Sequence, residues 1–198
     1  MGEQLRKKMT VEEFFEWQKS QDKNYELVDG IPVLTVKAMT GASDRHDAIT
    51  VNAIVSLGGR LRGKPCQPRT QDRAIRTFRG TRRPDVLIEC GKPEKKSWEA
   101  ADPRVVIEVL SPSTTRYDRF QKLEEYKVLT AVHVILLVDT EAPRVTVWRR
   151  NESGWGYEDL AGLDAIIWLP EIETELPLAE LYAELSFDPG DLAQPASS

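Results

Sequence analysis

Two carboxylates are conspicuous for where they sit. Glu108 interrupts Val105-Val106-Ile107-Glu108-Val109-Leu110, an apolar, β-branched run of strand length. Side chains alternate across a strand, so Glu108 shares one face with Val106 and Leu110, while Val105, Ile107 and Val109 occupy the other. An ionised carboxylate left unpaired there costs several kcal/mol, so Glu108 must meet a cation, hold a proton, or escape to solvent at the strand end. Asp85 opens a second short strand, Asp85 to Cys90, directly after Arg82-Arg83-Pro84. Pro84 sets where that strand begins and puts Asp85 at its mouth. The stretch from Gly91 to Pro103 is rich in charge and turn formers and suits an antiparallel return. Adjacent strands would then bring Asp85 and Glu108 together, and two convergent carboxylates make a site for a hard cation such as Mg²⁺ or Mn²⁺.

The elements that must position this pair follow from periodicity. Thr10-Val11-Glu12-Glu13 reads as a capping box opening a helix to about Lys19. Tyr25 to Val36 reads as a hairpin around Asp29-Gly30, with Pro32 on an edge strand. Ser43 or Asp44 caps a helix to Leu61, with Ile49, Ala53, Ile54, Leu57 and Leu61 on one stripe and His46 facing roughly the same way. Gln67 to Phe78 reads as one strand with a basic outer face. Ser111 to Thr115 is a turn and cap, followed by a helix from Arg116 to Leu129 on which Asp118, Lys122 and Glu125 share a face. Val132 to Asp139 is nearly all apolar and therefore central, with Pro143 to Arg150 paired to it. Trp155 to Leu160 and Ile166 to Ile172 are further strands, and Leu178 to Leu185 a closing helix. The expected fold is α/β in the broad sense, a mixed sheet flanked by helices. It forms one domain over residues 1–187, with 188–198 a disordered tail.

Composition narrows the function. The chain has 198 residues, 40% of them hydrophobic, enough for one full core. Two cysteines, no basic-plus-apolar leader and no long apolar run predict a reduced, cytoplasmic protein without membrane contact. The net charge of −5 conceals an asymmetry. Between Arg60 and Pro84 stand Arg60, Arg62, Lys64, Arg69, Arg73, Arg76, Arg79, Arg82 and Arg83 against the single acid Asp72. Such a segment beside a cation site reads either as a phosphate-backbone footprint, with Arg76, Arg79, Arg82 and Arg83 as contacts, or as a solvated hairpin. Gly58 to Lys64 matches the spacing of a phosphate-binding loop, but it ends a helix and Pro65 follows, so nucleotide binding is not expected. No Cys or His pair has zinc-ligand spacing.

Glu26 in Tyr-Glu-Leu-Val-Asp-Gly, His46 opening its helix, Arg83-Pro84-Asp85, Glu108-Val-Leu-Ser-Pro-Ser-Thr and Asp118-Arg-Phe-Gln-Lys122-Leu-Glu-Glu-Tyr126 occur in register from Thr10 to Leu185. Together they resemble the bacterial family of putative restriction endonucleases, once catalogued as a domain of unknown function, within the PD-(D/E)xK nuclease superfamily. The superfamily pattern places a lysine two residues after the strand glutamate, where this chain has Leu110; Lys122, on the next helix, is the substitute, as in the resembling family. Where that family has Gly-Val-x-Glu-Tyr-Trp after Thr130, this chain has Ala131 to Leu136.

The resemblance implies a restriction-endonuclease-like core and Mg²⁺- or Mn²⁺-dependent hydrolysis of a nucleic acid, in the first place DNA. Asp85 and Glu108 would hold the metal and Lys122 would orient or deprotonate the attacking water. Glu26, His46 and Asp118 would support them, Asp118 and Glu125 by positioning Lys122. The alternative is a nuclease-fold module that binds nucleic acid without cutting. A glycosidase using the two carboxylates lacks sugar-stacking aromatics near either. A homodimer is compatible with the chain, which carries no signal fixing its assembly.

Overall fold

The structure is a computed structural model describing residues 8–35, 44–92, 97–110 and 116–188, the side chains of 116–118 excepted. Ser43, the Ser111–Thr115 cap, the Asp118 side chain and the tail from 189 onward lie outside the described residues.

Local chemistry sets the first elements. Helix α1 (Val11–Gln18) opens on the expected capping box: Glu13 N–H donates to Thr10 Oγ1 at 3.2 Å, and Thr10 N–H donates to Glu13 Oε2 at 2.9 Å. Strands β1 (Tyr25–Val28) and β2 (Ile31–Leu34) pair antiparallel about Asp29 and Gly30, whose φ values of 52° and 84° are the left-handed pair a two-residue hairpin needs. Helix α2 (Asp44–Arg60) buries Ile49, Ala53 and Leu57 on its predicted stripe.

The main sheet runs β10 (Gly154–Ala161), β9 (Arg144–Asn151), β8 (Val134–Asp139), β7 (Pro103–Leu110), β6 (Val86–Cys90), β3 (Cys66–Thr70). All neighbours are antiparallel except β7 and β8, because helix α3 (Arg116–Lys127) intervenes between them and returns the chain to the same end. One face of the sheet, with Val86, Ile88, Val105, Ile107 and Val109, packs on α2 and the short helix α4 (Leu178–Leu181). The other face, with Leu87, Val106 and Ile135, meets Leu123 and Tyr126 of α3. Glu108 shares the Val106 face, so the alternation that made it anomalous in sequence aims it at α3. A second sheet, ordered β2-β1-β5-β4, adds β4 (Ile75–Thr77) and β5 (Gly80–Arg82), and a small ribbon pairs β11 (Ile166–Leu169) with β12 (Thr174–Pro177). No described helix is long and apolar enough to cross a membrane.

Four expectations are corrected. The strand read from Gln67 to Phe78 is two strands in different sheets. A turn in which Arg73 N–H donates to Thr70 O at 3.1 Å divides them. The strand read from Ile166 to Ile172 stops at Leu169, where Pro170 starts a 3₁₀ turn and Glu173, at φ 53°, sends the chain back as β12. The closing helix spans only Leu178–Leu181. Cys66 and Cys90 are not separate thiols: the β3–β6 register sets them opposite each other and they form a disulfide.

Gly80 is the most constrained position in the second sheet. At φ +142°, a Cβ there would lie 2.1 Å from Leu27 O, a backbone atom of the paired strand. Gly80→Ala should therefore lower stability by at least ~1–3 kcal/mol, read as a shift of the urea midpoint at unchanged slope.

Candidate active site

Asp85 sits at the mouth of β6, and register brings it to β7: Val86 pairs with Ile107, and Val109 N–H donates to Asp85 Oδ2 at 2.7 Å. Asp85 is thus tied to the residue next to Glu108. His46, from the buried face of α2, places Nε2 3.2 Å from the same oxygen, with Thr50 Oγ1 3.4 Å from its Nδ1. Across the site, Tyr126 Oη of α3 donates to Glu108 Oε1 at 2.7 Å, and Lys122 Nζ lies 3.6 Å from Glu108 Oε2. Lys122 also lies 3.3 Å from Glu26 Oε1 on β1.

A second layer holds Glu26. Arg83 N–H donates to its Oε1 at 2.9 Å and Arg82 Nη1 to its Oε2 at 3.1 Å. Arg82 grips Glu125 with a fork, Nε to Oε2 at 2.9 Å and Nη2 to Oε1 at 2.5 Å, while Thr77 Oγ1 donates to Glu125 at 2.7 Å. Glu26, Arg82, Asp85, Glu108 and Glu125 are all buried.

The two carboxylates facing Lys122 differ electrostatically. Burial would raise Glu26, but Lys122, Arg82 and the Arg83 amide outweigh it and hold the group below the usual carboxylate range. Glu108 is pushed up to about 7, by burial first and then by Asp85 and Glu26, against which Lys122 and the Tyr126 hydroxyl pull down. Burial and then Glu108 also raise Tyr126. Glu108 is thus a buried carboxylate crowded by Asp85 and Glu26, an environment that a divalent cation relieves. The donors fit such an ion, being hard oxygens from two carboxylates. Among the described residues no three His, Cys, Asp or Glu side chains form a cage, so main-chain oxygens and waters would complete the shell.

Of the residues singled out in sequence, Glu26, His46, Asp85, Glu108 and Lys122 are brought together. Asp118 lies in the first turn of α3, its side chain undescribed. Glu125 does not position Lys122 directly; it is engaged by Arg82. The four arginines expected as phosphate contacts differ in burial. Arg82 and Arg83 are 3% exposed, and Arg83 donates to the carbonyls of Tyr25, Gln71 and Asp72. Arg76 and Arg79 remain nearer the surface but pair with Glu12 and Glu99 and with Asp29, respectively. Much of the basic segment is paired with acids of the same chain, since Arg60 also meets Glu180 and Arg69 and Arg73 meet Glu89. Tyr126 ends the Asp118 motif in sequence, but its hydrogen bond to Glu108 is visible only in the structure. Its position four residues after Lys122 puts both on one helix face.

The family model described as "Uma2: Putative restriction endonuclease" matches residues 11–179. An uncharacterized protein of Synechocystis sp. is 30% identical over 150 residues, covering 74% of this chain and 77% of its own. The crystal structure of a putative nuclease belonging to DUF820 from Anabaena variabilis superposes with a TM-score of 0.68 at 17% identity. That alignment covers 88% of this chain and 98% of the other, a likeness of fold.

Proposed function

The chain belongs to the Uma2 family of putative restriction endonucleases, and we propose that it is a divalent-metal-dependent endonuclease acting on nucleic-acid phosphodiesters, in the first place those of DNA. The observation carrying this reading is the tie between Asp85 Oδ2 and Val109 N at 2.7 Å, which sets Asp85 beside Glu108 with Lys122 Nζ 3.6 Å from Glu108. A divalent ion held by Asp85 and Glu108 would polarise a phosphoryl oxygen and lower the pKa of a bound water. Lys122 brings a positive charge to the same edge of Glu108, where it orients a water and offsets charge building on the phosphoryl oxygens. Glu26 holds Lys122 at that edge. Tyr126 fixes the Glu108 carboxylate by occupying Oε1, leaving Oε2 on the Lys122 side. His46 and the Val109 amide orient Asp85 in the same way.

The test is cleavage of supercoiled plasmid and of a structured RNA with Mg²⁺, Mn²⁺ or EDTA, comparing the parent with Asp85→Asn. Metal-dependent cleavage absent from the variant is expected, and the better substrate assigns the nucleic acid. A parent that binds metal yet cuts neither is a binding module, which would overturn the reading. Metal binding has its own readout. With Mn²⁺ at about 100 times its dissociation constant, the native state should gain ~2.7 kcal/mol by mass action, raising Tm. Asp85→Asn should abolish that rise; an unchanged rise would put the metal elsewhere.

A further inference from the structure

Helix α2 has two faces with different uses. The buried face carries Ile49, Ala53 and Leu57 into the core and His46 to Asp85. The exposed face presents Asp44, Asp47, Val51, Val55 and Gly59, followed by Arg62. Arg62 lies just past the last residue of α2, but Leu61 N–H still donates to Leu57 O at 2.9 Å and Arg62 N–H to Gly59 O at 3.5 Å, so the helical path reaches it. Val51 and Val55, one turn apart at the centre of the helix, are 50% and 67% exposed. A Cβ on Gly59 would meet nothing within 4 Å, so the backbone there is open to close approach. Among the described residues, no ion pair engages Asp44, Asp47 or Arg62.

Read in reverse, these positions pair charge with opposite charge at the ends and valine with valine at the centre. Reversed about the level of Ala53, Asp44 falls on Arg62, Asp47 on Gly59 and Val51 on Val55. We propose that this face is the interface of a homodimer, with two α2 helices crossing antiparallel on a two-fold axis that passes between Val51 and Val55. Val51 of each copy packs on Val55 of the other, Gly59 admits the partner helix, and Asp44 meets Arg62 at both ends. A two-fold interface uses one patch twice and so needs just such self-complementarity. Nucleic acid would be repelled by the two aspartates, and a membrane surface would find only two apolar side chains with acids beside them. His46 lies on the opposite, buried face, so the pairing leaves the candidate site uncovered and stands independently of the catalytic reading.

A two-helix contact lies at the small end of specific interfaces, so association in the micromolar range is expected. Sedimentation equilibrium of the full chain from about 1 to 200 µM should show the mass rise from 22.4 kDa toward twice that value. Val55→Glu, Asp44→Arg and Arg62→Asp should each weaken association by ~10-fold or more, because every contact occurs twice across the axis. Combining Asp44→Arg with Arg62→Asp should restore it. That exchange sets both charges against the helix dipole, so recovery cannot come from a better helix. Circular dichroism confirms that each variant is folded. A parent monomeric throughout the range, a dimer indifferent to Val55→Glu, or an exchange variant no tighter than the single ones overturns the proposal.

Discussion

Replacing Lys122 by methionine should slow phosphodiester cleavage by ~10²–10⁴-fold while leaving Mn²⁺ bound, the cost of losing a group that positions or transfers a proton. Methionine keeps an unbranched stem and removes the charge with its donors. The ammonium lies 3.3 Å from Glu26 Oε1 and 3.6 Å from Glu108 Oε2, so its loss withdraws a cation from two buried carboxylates at once. Because Lys122 pulls the Glu108 pKa down, removing it drives that pKa further up. Metal affinity must therefore be compared at a pH where Glu108 is ionised in both proteins, by calorimetry with Mn²⁺. Glu26→Gln offers a graded control: Lys122 remains but loses a neighbour, so a smaller fall in rate is expected. A Lys122→Met protein that nicks plasmid as fast as its parent at equal metal occupancy removes Lys122 from the mechanism.

The largest effect on stability should come from Arg82→Met. Arg82 is 3% exposed and bonds Glu125 through a fork and Glu26 through Nη1, which joins β5 to both α3 and β1. Burial works against its charge, but Glu125 and Glu26 outweigh that and raise its pKa. Without the guanidinium, two buried carboxylates lose their shared cation, and breaking one side of such a network costs about 3–5 kcal/mol. Chemical denaturation of Arg82→Met should show that loss as a fall in the midpoint. Adding Glu125→Leu should return part of it, because an unpaired buried charge is then replaced by apolar contact. A loss below about 1 kcal/mol would mean that water reaches the network and that Arg82 behaves as a surface ion. The outcome also bears on the basic segment. Weakened nucleic-acid binding by this variant would report a damaged fold, not a lost phosphate contact.

What the sequence determined by itself is everything governed by near neighbours. The alternation of Val105 to Leu110 isolates Glu108 on one strand face, and Pro84 places Asp85 at a strand mouth. The Thr10 capping box, the Asp29-Gly30 turn and the α2 stripe are each closed by contacts within a few residues, and each stands as read. The helix face carrying Lys122 is equally local, and the structure sets its Nζ 3.6 Å from Glu108 Oε2. Only the tertiary structure decided which charges neutralise which. Arg82 meets Glu125 at a separation of 43 residues, Arg79 meets Asp29 at 50, Arg76 meets Glu12 at 64 and Arg60 meets Glu180 at 120. A run of basic residues looks the same in sequence whether it faces phosphate or buried glutamates, because an ion pair depends on distance in space and has no period along the chain. The pairing of Cys66 with Cys90 and the hydroxyl that Tyr126 gives to Glu108 belong to the same class: each side chain is unremarkable where it stands, and its partner arrives by the register of a sheet or the docking of a helix.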